Sequence, residues 1–428
     1  MKKKLLIIQM NEINFDLVKQ YSKDLNLSNF QYMIDNFNNI ETSSEKNYEN
    51  LEPWIQWVSF YTGKSYEEHK VFFLNELKND ADTIFKYFDE KLNAKQCLML
   101  PMNLKNNLNN SQNIFIPDPW TETQIQCDKK LKEFYTIIKK IILNNKNVNL
   151  TLSEIYYLFY YILINSSFKF KLFFFKNLLN LFNKKYFKAI LFDKLISDIF
   201  LKKIKSVDYD ISSIFLNAGA HIQHHYLLSS RFVENTNNPK WYLKEKYDPI
   251  QDYLLAYDKI LGNFLKLKNY EILLMTGLSQ SQINEPIFYY NLKNPNTFFS
   301  KINIYPSKII KRMSRDYTLE FNDLNIMSQS LNILKNLKIG DLNFFSIKSK
   351  ENKIFLEIIY PKEVIDTDRI IINNIKINVK EELVFLAIKN SIHNQKGYCF
   401  TNLQSLPQAM NVKDFYSFLK NKKFLHAN

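Results

Sequence analysis

A chain of 428 residues, 46% hydrophobic and 23% charged, can bury a large core, which excludes a disordered segment. Its three cysteines, Cys97, Cys127 and Cys399, are far apart and show no CxxC spacing, which excludes a disulfide framework and a zinc-thiolate site. The formal charge of +14 favours phosphate-rich partners such as a nucleotide, an anionic lipid or nucleic acid, but an A+T-biased coding sequence, also visible in the abundant Asn, Ile and Phe, raises lysine without any partner.

The N-terminal Met-Lys-Lys-Lys-Leu-Leu-Ile-Ile imitates a secretory leader, yet Gln9 and Asn11 break its apolar run and no small-residue cleavage site follows. Residues 4–10 therefore read as a buried parallel strand, with Asn11 and Glu12 at its polar end. Helical spacing continues from Phe15 to Phe37 through Leu17, Val18, Tyr21, Phe30 and Met33. Ile40 to Ser44 reads as a short edge element. Pro53 suits a first helical turn and Gly63 a stop. Between them Trp54, Trp57, Val58 and Tyr61 form a stripe that reads as core, and His69 beyond it as a structural residue. A helix is expected over 80–92, a strand from Ala94 to Leu100, an Asn-rich loop over 102–113, and an extended segment at 114–120 pinned by Pro117 and Pro119.

Residues 1–128 then form the first part of an α/β core, and residues 129–205 a helical insertion in which nearly all charge is lysine. Two readings of the insertion stay open: a basic aromatic face on a membrane surface or over an amphiphilic substrate, and a buried helical subdomain with snorkelling lysines. Residues 206–428 form the second part of the core. A buried strand runs from Asp208 to Leu216, and the small-residue turn Asn217-Ala218-Gly219-Ala220 leads into His221, His224 and His225, three of the six histidines. A helix over 248–267, a strand at 270–275, a helix over 320–337, an antiparallel pair of 353–360 with 369–379, and a strand at 383–388 follow, the last leading to His393. No stretch of eighteen apolar residues is present to span a bilayer. With few cysteines and no leader, the expected location is cytoplasmic, free or at the inner membrane surface.

In open α/β sheets, ligands bind beyond the carboxyl ends of strands, and imidazole is the commonest metal ligand. The histidine packet after a strand therefore reads as a metal or phosphate site, against the plainer reading of satisfied core or surface rings. In order, the pieces resemble the alkaline phosphatase superfamily, in particular its type I phosphodiesterase and nucleotide pyrophosphatase branch. The resemblance is carried by the polar end of the first strand at Asn11-Glu12, Thr62-Gly63 with His69, the Asn217–His225 segment, Tyr257-Asp258-Lys259, and His393 with Gly397.

The resemblance implies an alkaline-phosphatase-like three-layer αβα core with a central, mostly parallel sheet, and phosphoryl chemistry assisted by a divalent metal, zinc or manganese. This sequence departs from the family at several positions. Asn11-Glu12 stands for the first-strand Asp, and Thr276-Gly277-Leu278-Ser279 for an Asp-His pair. Ala220 or Asn217 falls where a second Asp is expected, and the nucleophile position falls near Pro53. The remaining ligand inventory is Asn11, Glu12, Asn217, His221, His224, His225 and His393, which suits one ion better than two. Glu12 or His221 is the expected base. The expected activity is hydrolysis or transfer at a phosphodiester or phosphomonoester in a phosphate-containing small molecule or a lipid-linked substrate, including surface glycan synthesis, with peripheral membrane contact through 150–205. The alternative is a non-catalytic scaffolding protein of such a pathway. The lysine-aromatic pattern is not accompanied by a nucleic-acid motif, so nucleic acid is not an expected partner.

Overall fold

The computed structural model describes residues 3–144, 149–234, 238–311, 315–372, 375–404 and 406–422. Its centre is Lys4–Met10 (β1), whose Leu5, Leu6, Ile7 and Ile8 are fully buried. Such a run, apolar on both faces, is stable only between two layers. β1 lies in an eight-stranded sheet with Asn38–Ser43 (β2), Gln96–Met99 (β3), Ile114–Ile116 (β4), Ile211–Leu216 (β5), Tyr270–Met275 (β6), Lys396–Thr401 and Ala409–Asn411. From one edge the order is Ala409–Asn411, β2, Lys396–Thr401, β6, β1, β5, β3, β4. Only Lys396–Thr401 runs against the rest. In register, Ile7 sits between Ser213 and Leu273, so the carboxyl ends of β1, β5 and β6 lie side by side.

Helices cover the sheet in two groups. Phe15–Leu25, Ser28–Asn36, Phe187–Ser206, Ala218–Tyr226 and Pro249–Leu265 pack among themselves; Pro53–Thr62, Ile84–Leu92 and Asp414–Asn421 do likewise. The core is a three-layer αβα sandwich around a mostly parallel sheet. Where Lys396–Thr401 passes the end of β6, a Cβ on Gly397 would stand 2.7 Å from the Gly277 carbonyl oxygen, so only glycine lets the strands approach there.

Several local expectations need correction. The helical run from Phe15 to Phe37 breaks at Asn26, which is left-handed (φ 49°) and ends the first helix. β2 is not an edge, because Ala409–Asn411 pairs outside it. The helix expected over 80–92 starts at Ile84, capped by Thr83, and that expected over 320–337 spans Leu324–Lys335, capped by Asp323. The strands at 353 and 369 are not partners. Lys353–Ile358 pairs with Phe345–Lys350 and Asp316–Glu320, while Arg369–Ile372 turns back on Ile375–Asn378. Period-2 patterns mark strands but not their partners. The strand beginning at Leu383 runs on to Asn394 and so includes His393.

Packing divides the chain differently from composition. One compact unit comprises Met1–Phe232, Lys246–Gln282 and Ser391–Asn428; the other comprises Val233–Glu245 and Ile283–Asn390. The second has its own core, including Phe298, Phe299, Leu319 and Ile354, and a four-stranded antiparallel sheet. Composition had not set residues 283–390 apart from the core. Among the described residues of 129–206 there are five helices. The last, Phe187–Ser206, packs on β3 and β5 as part of the sandwich. The middle three, Leu152–Asn165, Phe168–Lys176 and Leu178–Asn183, expose many large apolar side chains. Among the described residues no helix is long and apolar enough to cross a membrane.

Candidate metal centre

The site is built where β1, β5 and β6 end. The Asn11 N–H donates to Leu216 O and the Glu12 N–H to Thr276 O, both at 3.0 Å, so the two residues are tied to both neighbouring strands. Glu12 adopts a left-handed backbone (φ 59°). That conformation costs a non-glycine residue about 1–2 kcal/mol and recurs at functional sites. It turns the Glu12 side chain out of the strand alternation.

The histidine-bearing helix Ala218–Tyr226 is fixed at its start by Asp193 from the neighbouring helix. The Asp193 carboxylate accepts from Ala218 N–H at 2.7 Å and Tyr257 O–H at 2.6 Å, and the Tyr257 oxygen accepts from Gly219 N–H at 3.1 Å. Burial pushes the Asp193 carboxyl up to about 6, against the pull of these donors.

On this frame Glu12, His224 and His393 converge. Glu12 Oε2 stands 2.9 Å from His224 Nε2 and 3.2 Å from His393 Nε2, and the two imidazole nitrogens are 3.4 Å apart. Ligand atoms about 2.0–2.1 Å from a tetrahedral cation stand about 3.3 Å from one another. The three donor atoms match that spacing, and two imidazoles with one carboxylate are a suitable donor set for a divalent ion. The residues present therefore fit one metal. Glu12 is 3% exposed, His393 12% and His224 29%, so the group opens to solvent on the His224 side.

Surrounding groups hold the carboxylate in place. Gln280 Nε2 donates to Glu12 Oε2 at 2.6 Å, and Ser391 Oγ donates to the Gln280 oxygen, which fixes the direction of the amide. Asn11 Nδ2 donates to Glu12 Oε1 and to Asn217 Oδ1, each at 2.9 Å, while Trp57 Nε1 donates to Asn11 Oδ1 at 2.8 Å. The oxygens of Asn11 and Asn217, expected as ligands, thus face Trp57 and Asn11. Burial would push the Glu12 carboxyl up, but His224 and His393 outweigh it and hold it well below the usual carboxylate range. Burial would likewise lower the His393 pKa; Glu12 first, then Glu52 and the Leu51 backbone, hold it above its ordinary value.

The other candidates lie apart from this group. His221 is exposed, and its ring sits edge-on to His225 at 5.0 Å; neither belongs to the three-residue cluster. His69 Nδ1 accepts from Val71 N–H, so in the neutral ring Nε2 carries the proton and faces Ser59 Oγ at 3.2 Å. Burial brings the His69 pKa down to about 4. Pro53 opens its helix as expected.

Two contributors escaped the sequence reading. Glu52, next to Pro53, places Oε2 3.5 Å from His393 Nδ1, and Gln280 reaches Glu12 from beyond the end of β6. The only local signal for Glu52 was its place before a proline that starts a helix.

No family model matches the chain, and no curated protein does. Solved structures do. A phosphonoacetate hydrolase from Sinorhizobium meliloti 1021 in complex with phosphonoformate is 11% identical with a TM-score of 0.46, over 98% of this chain and 95% of that one. Murine ectonucleotide pyrophosphatase / phosphodiesterase 5 is 10% identical at TM-score 0.45, over 97% and 94%. A mutant of the alkaline phosphatase PafA is 11% identical at TM-score 0.49, over 99% and 97%. With about one residue in ten shared, the role of each residue here rests on the geometry of the site.

Proposed function

We propose that the chain is a metal-assisted phosphoesterase, a hydrolase or phosphoryl-group transferase of the alkaline-phosphatase type, holding one divalent cation, zinc or manganese, on Glu12, His224 and His393. The carrying observation is the spacing of Glu12 Oε2, His224 Nε2 and His393 Nε2 at 2.9, 3.2 and 3.4 Å. A bound cation there supplies Lewis-acid polarisation of a phosphoryl oxygen and acidifies a water.

The chain's own residues divide the remaining work. Glu12, held ionised by two imidazoles, serves as a ligand and is too weak a base for proton abstraction. Glu52 takes the far side of His393 and keeps Nε2 turned inward, as carboxylates commonly do behind a metal-bound histidine. His221 lies one helical turn before His224; loss of water around the ring, then the His224 charge, bring its pKa down to about 4, which leaves it neutral at pH 7 and supports it as the group that takes up a proton. The substrate class is a phosphate-containing small molecule or a lipid-linked phosphate, with peripheral membrane contact through 150–205. The exposed apolar helices of that region support this contact.

One observation favours a second reading. The family resemblance puts the nucleophile near Pro53, which has no group with which to attack. That fits a binding or scaffolding protein of a glycan or lipid pathway that has kept the cleft without the chemistry.

Calorimetric titration of chelator-treated protein with Zn²⁺ and Mn²⁺, followed by turnover of a generic phosphodiester, separates the two. Enzymatic function requires saturable binding near one ion per chain that His224→Ala and His393→Ala abolish, together with metal-dependent turnover. His221→Ala should keep the metal and lose turnover by roughly a hundredfold or more, the usual scale of general acid-base assistance. Absence of metal binding would overturn the proposal. Metal binding without any turnover would favour the second reading.

A further inference from the structure

A cavity of about 680 Å³ lies between the helices Phe168–Lys176, Phe187–Ser206 and Pro249–Leu265, and none of its lining residues belongs to the metal centre. Six lysines line it: Lys169, Lys176, Lys194, Lys205, Lys259 and Lys266. Its two carboxylates have partners other than these lysines. Asp198 accepts from the Ser167 N–H and O–H, both at 2.6 Å. Asp252 is taken by Lys184 Nζ and Tyr186 O–H, also at 2.6 Å. Among the described residues none of the six lysines makes an ion pair.

Gathering like charges without counter-ions is unfavourable. Lys194 registers this: burial first, then Lys259, lower its pKa to about 8 against the opposing pull of Asp198, and its Nζ lies 5.8 Å from the Phe173 ring centroid. The rest of the lining includes Phe170, Phe173 and Phe187. Lysines and aromatic rings together suit an amphiphilic anion better than a bare ion.

The helix Phe168–Lys176 that closes one side also bears exposed apolar residues. Phe168 is 78% and Phe175 63% exposed, and on the next helix Phe182 is 80% exposed. From Leu152 to Ile190 the sequence has six lysines and a single acidic residue, Glu154, which pairs with Lys140. Aromatic and aliphatic side chains among lysines that, apart from Lys184 on Asp252, make no ion pair among the described residues match an anionic lipid surface in both polarity and charge.

We infer that the lysine-lined cavity is a second anion site, which takes the phosphate headgroup of an anionic lipid whose acyl chains lie against the exposed apolar side chains of the neighbouring helices. The inference rests on the membrane contact proposed above for 150–205.

Two measurements on the full chain keep the cavity and the contact distinguishable. In solution, calorimetric titration with dihexanoylphosphatidic acid below its micelle concentration reads the cavity alone. Saturable binding is expected, about thirtyfold weaker in Lys194→Gln/Lys259→Gln, since each removed lysine forfeits roughly five- to sixfold. Lys194→Arg/Lys259→Arg should restore it. Absence of binding, no change in the Gln variant, or inorganic phosphate bound as tightly as the lipid would overturn the headgroup site.

The second measurement is flotation with phosphatidylglycerol-containing vesicles against pure phosphatidylcholine ones. Flotation should be confined to the anionic vesicles, weaken with salt, and vanish in Phe168→Ser/Phe182→Ser while short-chain lipid still binds. Wild-type chain that never floats but binds the short-chain lipid would sink the membrane contact and support the cavity as a site.

Discussion

His393 is held between two carboxylates. Its Nε2 faces Glu12 at 3.2 Å and its Nδ1 faces Glu52 at 3.5 Å, an arrangement that sets both ring orientation and charge. Its folded pKa is raised above the ordinary 6.5. Its contribution to the stability of metal-free protein is therefore full below about 6.5 and is lost as pH rises through the folded value. Glu12 behaves oppositely: its contribution is present above its ordinary 4.5 and is lost only as pH falls through a much lower folded pKa. In chelator-treated protein, His393→Asn should lower the Tm clearly at pH 6 and progressively less as pH rises through the folded value of His393. Equal losses at pH 6 and pH 9 would show that the ring is neutral throughout. Metal must displace the His393 proton, so affinity for Zn²⁺ should climb over the same interval. Glu52→Gln keeps the shape and removes the outer charge. Its expected effect is a ten- to hundredfold loss of metal affinity, the order of magnitude for such outer partners, with the fold intact by circular dichroism. An unchanged affinity would remove Glu52 from the site.

At the scale of elements, the centre depends on three strand ends and two helices being locked together. Trp57 does part of this. Its indole is fully buried in the helix Pro53–Thr62 and donates to Asn11, which in turn donates to Glu12. Trp57→Phe leaves a buried acceptor without its donor, at a cost of about 1–3 kcal/mol. A chemical-denaturation midpoint lowered accordingly, with weaker metal binding, is the expected result; loss of stability alone would mean that the indole is only core. Sequence had marked Trp54, Trp57, Val58 and Tyr61 as core; the last three are buried and Trp54 is half-buried. The pattern of apolar residues did not reveal that one of them carries a hydrogen bond into the site, because spacing reports burial and not partners. Asp193 was invisible for a similar reason. It lies within the lysine-rich stretch, and only the packing of Phe187–Ser206 against Ala218–Tyr226 brings its carboxylate to the start of the histidine helix.

Over the whole molecule, charge and apolar exposure are segregated. The sandwich buries every residue of β3, β4 and β5 and all of β1 but Lys4, while the helices from Leu152 to Asn183 expose Phe168, Phe175, Leu179 and Phe182. Exposed side chains contribute little to folding, so Phe168→Ser/Phe182→Ser should change stability by no more than about 0.5 kcal/mol. It should also reduce self-association in sedimentation, since large exposed apolar patches drive association. A substantial fall in denaturation midpoint would instead mean that these rings are packed.

Sequence by itself determined the local chemistry. Mostly apolar runs marked β1 and β5 as buried strands and β6 as a strand, and the polar residues after the first two placed Glu12 and a histidine packet at the sheet's carboxyl edge. Apolar content and lysine bias marked 129–205 as helical and basic. What only tertiary structure decided is which of those groups meet. His221, His224 and His225 share one helical face by spacing, and it is the docking of that helix through Asp193 and Tyr257 that turns His224 toward Glu12. Glu52 and Gln280 come from other segments of the chain, and no local pattern encodes a distance that arises when strands far apart in sequence become neighbours in one sheet.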